Sequence, residues 1–216
     1  MTHLSPDAGQ HMQREITEAP AVFAASVAQP VTLTDLPNLR AIYTVARGSS
    51  DAAANILAYE LMRETHLPVT SLPPSIFSLG HGVRLQDSAV LVVSQSGASD
   101  DLVRSARGAK AMGATVFALT NAPGSPVESE AHTTLKISAG PELAVPATKS
   151  VVGAIGAGMA LLSALAPAYA PRAGASAQAI AALQGKQLPQ QKALLAALLR
   201  ASHVYVIGRD TGFGAA

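Results

Sequence analysis

Ser88-Ala89-Val90-Leu91-Val92-Val93-Ser94-Gln95-Ser96-Gly97-Ala98-Ser99-Asp100 is the stretch on which the fold turns. Ser88 to Val93 has the length and β-branched content of a buried parallel strand. Asp100 to Met112 reads as a helix, closed by Gly113. The residues between them, Ser94 to Ser99, carry three hydroxyls, one amide and no positive charge. A helix N-terminus presents unpaired N–H groups and a partial positive charge, so such a loop receives a phosphate without a lysine. A phosphorylated small molecule is the first ligand to consider.

Working outward, the same alternation recurs. Ala41 to Val45 reads as a strand, Asp51 to Thr65 as a helix and Val69 to Leu72 as a short strand. Thr115 to Leu119 completes a βαβ unit with the opening stretch, Leu135 to Ser138 is another strand, and Lys149 to Leu165 another helix. Strands alternating with helices predict a doubly wound parallel sheet, an α/β fold with helices on both faces. Ahead of it, Met12 to Gln29 has helical spacing, and Pro20 predicts two short helical pieces there. Residues 1–30 are a leader and helix, and 31–166 the main domain. Residues 167–202 follow as linker and helices: Ala166 to Ala175, with two prolines and a glycine, reads as linker, before helices over Ser176 to Gln187 and Pro189 to Ala201.

The final residues repeat the first unit. Ala41 to Ala54 lines up with His203 to Ala216, matching Tyr43 with Tyr205, Arg47 with Arg209, Ala53 with Ala215 and Ala54 with Ala216. This predicts a strand over His203 to Ile207 and the truncated start of a second, similar domain over 203–216. Chance likeness between two short strand–helix units is the other reading.

Composition narrows the function. Charged residues are 13% of the chain against a usual quarter or so, hydrophobic ones 49%, and the surplus of Ala, Val and Leu suits helices packed on a buried sheet. A net charge of +1 and 4% aromatics leave nucleic acid without an electrostatic footprint or stacking platforms. With 0 cysteines, disulfides, thiolate metal sites and cysteine nucleophiles are excluded. Met1 to Gln10 has neither the basic nor the apolar region of a signal peptide. Val151 to Ala166 is almost free of polar groups but falls short of the roughly 20 residues of a membrane span, so it reads as a buried crossover helix. A cytoplasmic protein, without membrane or nucleic-acid partners, is expected. Apolar residues such as Leu194, Leu195, Leu198 and Leu199 call for burial against another subunit or domain, and a homodimer is expected.

Three loops leave the C-terminal ends of strands, where open α/β sheets place ligands. They are Arg47-Gly48-Ser49-Ser50, Ser94 to Ser99, and Gly140 to Thr148. Serines before helices are also ordinary N-caps, and Asp100 and Asp101 suit a first helical turn, where they must point away from any phosphate. Alone, the Ser94 loop suits either role; its two companions favour binding. Glu142 is a candidate acid/base and Lys149 a candidate to neutralise phosphate charge, against the plainer readings of a solvated loop carboxylate and a helix-start lysine. His81 lies before the Ser88 strand and reads as exposed. Gly153, Gly156 and Gly158 miss the dinucleotide spacing, so close helix packing explains them.

Ser94-Gln-Ser-Gly97, Arg47-Gly-Ser-Ser50, and Ala139-Gly-Pro-Glu-Leu-Ala-Val-Pro-Ala-Thr-Lys149 together resemble the sugar isomerase (SIS) domain, as does the leader Met12-x-x-Glu15-Ile16-x-Glu18-x-Pro20. The likeness is strongest to the isomerase half of glucosamine-6-phosphate synthase and to its deaminase relatives. It implies a five-stranded parallel, flavodoxin-like sheet, with two such domains in tandem. It implies that the positions of Ser50, Ser94, Gln95, Ser96 and Ser99 hold phosphate, while Ser49 and the backbone near Val145 contact the sugar. It also implies a hexose or hexosamine phosphate as ligand and no metal or dinucleotide cofactor. The absence of cysteine removes the synthase's glutaminase chemistry and turns the expectation toward an aminosugar-phosphate deaminase/isomerase. A non-catalytic sugar-phosphate sensor, or a synthase-like isomerase domain lacking the glutaminase, is the alternative. The family's principal catalytic groups lie beyond Ala216, and Ala147 stands where the synthase has serine.

Overall fold

In a computed structural model, residues 9–33, 36, 38–186 and 189–216 are described. The elements in chain order are α1 (Gln10–Ala28), β1 (Ala41–Val45), α2 (Ser49–Thr65), β2 (Val69–Ser71), α3 (Ser75–Ser78) and β3 (Ser88–Ser94). They continue with α4 (Asp100–Ala111), β4 (Thr115–Thr120), α5 (Pro126–Glu130), β5 (Thr133–Lys136) and α6 (Lys149–Leu165). A 3-10 turn at Pro167–Tyr169 leads into α7 (Ala170–Ala181), α8 (Gln191–Arg200) and α9 (Thr211–Ala215). The five strands form one parallel sheet in the order β2-β1-β3-β4-β5, as the α/β reading requires.

β3 is central and all seven of its residues are buried, because a parallel strand with helices on both faces has no solvent side. Its side chains divide by alternation. Ala89, Leu91 and Val93 join Phe117 and Leu119 of β4 in a core shared with α1, α2, α6 and α7. Val90 and Val92 join Val116 and Ala118 in a second core under α4 and α5. Strand order reverses between β1 and β3, so the chain diverges above their C-terminal ends and leaves a crevice there.

Three expectations need correction. Pro20 does not divide the first helix: α1 is continuous across it, because packing along α6 and α7 outweighs the one hydrogen bond proline removes. The 166–175 stretch is no linker but the 3-10 turn and the start of α7, and its Tyr169 and Ala173 are buried in the core. Residues 203–207 form no strand; Ile207 is 93% exposed, since neither edge of the sheet supplies this segment with a ladder partner. α8 likewise leaves Leu194, Leu195, Leu198 and Leu199 exposed. Gln187, the expected end of a helix, lies outside the described residues.

Two positions aligned between residues 41–54 and 203–216 share a backbone conformation. Gly48, before α2, has φ 55 and ψ −133, and its aligned counterpart Asp210, before α9, has φ 58 and ψ −139. That region suits glycine alone, yet an aspartate holds it, with its carboxylate on Arg63 at 2.9 Å.

Candidate functional site

The loops after β1 and β3 and the loop before α6 meet above the switch point and enclose two adjoining cavities. The first, about 300 Å³, is lined by Gly48, Ser50, Ser94, Gln95, Ser96, Ser99 and Leu102 together with Arg47. The second, about 360 Å³, is lined by Ser49, Glu142, Ala144, Val145, Ala147, Ser150 and Val151. Arg47, Ser50 and Gln95 belong to both. Every residue expected to bind phosphate or sugar lines one of these cavities, as does Glu142. Their volumes fall in the range of small-molecule sites.

The first cavity sits at the starts of two helices. Gly48 and Ser50 at the start of α2 and Ser99 at the start of α4 line it, so the positive ends of two helix dipoles lie beside it. Gly97, at φ 61, makes the close turn of the cradle. Its N–H donates to the Ser94 carbonyl and Oγ, both at 3.2 Å, and its carbonyl accepts the Val127 N–H of α5 at 3.0 Å. The cradle is thereby fixed to α5 without using the hydroxyls of Ser50 and Ser99.

The composition of the loop after β3 gave no hint of a cation, but the cavity has one. The Arg47 guanidinium reaches over from the loop after β1 and pairs with Asp101 at 2.9 Å. Asp100 pairs with Arg104 at 2.8 Å, and neither Asp100 nor Asp101 lines the cavity. An exposed pair of this kind is worth about 0–1 kcal/mol, so an arriving phosphate competes for Arg47 easily. Lys149 departs from its expected role. It is buried, its Nζ lies 2.5 Å from Glu18 Oε2, and it lines neither cavity. His81 is exposed and lines neither cavity.

Glu142 is held by its surroundings. Its carboxylate accepts the N–H of Thr148 at 2.9 Å and of Ser150 at 3.1 Å, and the hydroxyls of both residues. It caps α6, whose own N-cap residue, Thr148, makes no side-chain capping bond. Burial raises its pKa, but the hydrogen bonds from Ser150 and Thr148 outweigh burial and hold the carboxyl below its ordinary 4.5. A lowered folded-state pKa makes this stabilisation complete above pH 4.5 and lost as pH falls through the folded value. Glu142→Gln is expected to cost about 1 kcal/mol near pH 7, partial exposure considered. The gap in melting temperature between the two proteins should close as pH falls below about 4.5; a gap independent of pH would refute the capping role.

Asn121 was also missed. It follows β4, at the same sheet end as the other loops. Its N–H donates to the Gln95 carbonyl at 3.0 Å, its Nδ2 to the Gly140 carbonyl at 2.7 Å, and its Oδ1 accepts the Ala139 N–H at 2.8 Å. One residue thus ties the loop after β3, through its backbone, to the wall of the second cavity, through its side chain. The switch-point rule pointed to the end of β4 as much as to the others, but only the folded loops reveal what Asn121 joins.

The SIS domain family matches residues 35–164, well over half of the chain and all three loops. The chain belongs to the SIS domain family. Its SIS domain is similar to that of isomerizing glutamine–fructose-6-phosphate aminotransferases. The Halobacterium salinarum protein is 41% identical over 122 residues, covering 56% of this chain and 20% of the relative. The Mycolicibacterium smegmatis protein is 30% identical over 169 residues, covering 73% and 27%. The chain therefore spans about a fifth to a quarter of the length of these curated relatives. Among solved structures, a candidate phosphosugar isomerase from Silicibacter pomeroyi is 36% identical with a TM-score of 0.78, over 87% of this chain and 60% of that one. Glucosamine-6-phosphate deaminase from Thermotoga maritima, 16% identical, shares the fold with a TM-score of 0.60 over 78% of this chain and 54% of that one. Among the described residues, no helix is long and apolar enough to cross a membrane, and no cluster of His, Asp or Glu could hold a metal.

Proposed function

We propose that this SIS domain binds a hexosamine 6-phosphate and serves an aldose–ketose isomerase/deaminase that converts glucosamine 6-phosphate and water into fructose 6-phosphate and ammonia. The observation that carries the reading is the paired cavity. A hydroxyl-lined cradle at two helix N-termini opens into a second chamber of the size a hexose needs, with Arg47 at the boundary. In this reading the phosphate takes Ser50, Ser94, Gln95, Ser96 and Ser99 and draws Arg47 from Asp101. The sugar then extends past Ser49 toward Val145. Glu142, the one carboxylate on the cavity walls among the described residues, is occupied in capping α6, so the groups that move protons between C1 and C2 come from elsewhere in the enzyme. Residues 203–216, with Asp210 in the backbone conformation of Gly48, are proposed as a second copy of the β1–α2 start.

Thermal melts with glucosamine 6-phosphate, fructose 6-phosphate and inorganic phosphate test the binding. Ligand at a hundred times Kd adds about 2.7 kcal/mol to folding stability, a rise of roughly 5–10 °C for a chain of this size. The hexose phosphates should exceed phosphate alone, and Ser96→Ala should remove most of the shift while leaving the unliganded melt within about 1 °C, since Ser96 is exposed. A cooperatively melting protein that no phosphate compound stabilises would sink the proposal. Ammonia release from glucosamine 6-phosphate separates a deaminase from a sensor.

A further inference from the structure

The middle of the second cavity's wall, residues 141–147, is not held by packing of its own apolar side chains. Leu143 is 60% and Val145 92% exposed. Its position depends on polar bonds made to its backbone and ends, and two of these come from α1, a helix that lies outside the strand–helix alternation. Glu15 is 1% exposed. Its Oε1 accepts the Leu143 N–H at 2.5 Å, and its Oε2 the Ala144 N–H at 3.1 Å. One turn further on, Glu18 takes the buried Lys149 ammonium at the far end of the same wall.

We infer that Glu15 and the Glu18–Lys149 pair are positioning residues that set the shape of the sugar chamber, so that α1 governs the preference for a hexose phosphate over phosphate alone. This rests on reading the paired cavity as a phosphosugar site. A buried carboxylate is costly unless it is fully hydrogen-bonded, and an apolar residue would serve α1's packing against α6 without that cost. What a carboxylate adds is direction: it fixes two consecutive N–H groups of a loop that otherwise lacks an anchor at its middle. Ala144, whose N–H it holds, lines the chamber, and Val145 follows directly. The phosphate cradle has an anchor of its own through Gly97 and α5, and Asn121 joins it to the wall at Ala139 and Gly140, away from Leu143 and Ala144, so a change at Glu15 acts first on the sugar chamber.

The test measures affinity for inorganic phosphate and for glucosamine 6-phosphate by calorimetry, in the full chain and in Glu15→Gln and Glu15→Ala. Phosphate affinity is expected to stay within about twofold. The advantage of the hexosamine phosphate over phosphate should fall about tenfold in Glu15→Ala and less in Glu15→Gln, which keeps one acceptor oxygen. Should Glu15→Ala fail to fold, Glu18→Gln, whose side chain is 40% exposed, reads out the same ratio. An equal loss for both ligands would make Glu15 a purely structural residue and overturn the inference, as would an unchanged ratio in folded variants. Wild-type protein that binds neither compound would overturn the phosphosugar reading itself, and this inference with it.

Discussion

Replacing Gly97 with alanine is expected to abolish phosphate binding and to lower folding stability by about 2–5 kcal/mol. Two penalties combine. At φ 61 an L-residue pays the left-handed cost of about 1–2 kcal/mol. The new Cβ would also stand 2.2 Å from Ser125 Oγ, 2.4 Å from Ser125 Cβ and 2.8 Å from Thr120 Oγ1. All three atoms are buried at the junction of the cradle with α5, and forcing an extra methyl into such a place costs about 1–3 kcal/mol. Relief requires the cradle to lift from α5, which breaks the bond from the Val127 N–H to the Gly97 carbonyl and moves Ser94, Gln95 and Ser96 together. Gly140 provides the matched control. It too has φ 61, but a Cβ there meets nothing within 4 Å, so Gly140→Ala should lose only the conformational cost, about 1–2 kcal/mol. Urea unfolding of the two variants decides the matter. Equal losses would show that the contact with Ser125 is not a constraint.

Gly153→Ala should lower stability by about 2 kcal/mol, although alanine favours a helix over glycine by about 1 kcal/mol. Gly153 lies in the first turns of α6, where a Cβ would come within 2.6 Å of the Ile137 carbonyl oxygen, 2.8 Å of Ile137 Cγ2 and 2.9 Å of Val22 Cγ1. The carbonyl cannot retreat, because it already accepts the Ser26 hydroxyl of α1 at 2.6 Å. The start of α6 must therefore move outward, carrying Lys149 away from Glu18 and Ser150 away from Glu142. Weaker hexosamine-phosphate binding with little change for inorganic phosphate should accompany the lost stability. Gly174, in α7, has nothing within 4 Å of its would-be Cβ, so Gly174→Ala should instead stabilise by up to about 1 kcal/mol. Opposite signs in thermal melts are the expected result; a stabilising Gly153→Ala would mean that α6 is not seated this closely.

Nearly every element of the sheet was legible in the chain, because a strand buried on both faces must be a short apolar run, and β1, β3 and β4 are such runs. The ligand end was legible too, since a parallel sheet with helical crossovers places its loops at the C-terminal edge whatever the side chains are. The cradle serines and the Gly140 to Thr148 loop followed from that rule and from small-residue composition. What misled was local chemistry taken without its neighbours. Pro20 and the proline-rich 166–175 stretch read as breaks, yet packing on α6 keeps both regions helical. Residues 203–207 have a strand's pattern and no strand to pair with.

The sequence by itself determined the alternation, the sheet and the face on which a phosphate would sit, because hydrophobic period and helix-start residues are local properties. Only the tertiary structure decided which charges stand where. Arg47 enters the site by reaching across from a neighbouring loop, and Lys149 leaves it for Glu18, 131 residues away. Glu15, buried beneath a loop 128 residues away, acquires a role only through contact. A charge acts through distance in space, and distances between residues so far apart in the chain are fixed by the packing of α1, α6 and the sheet.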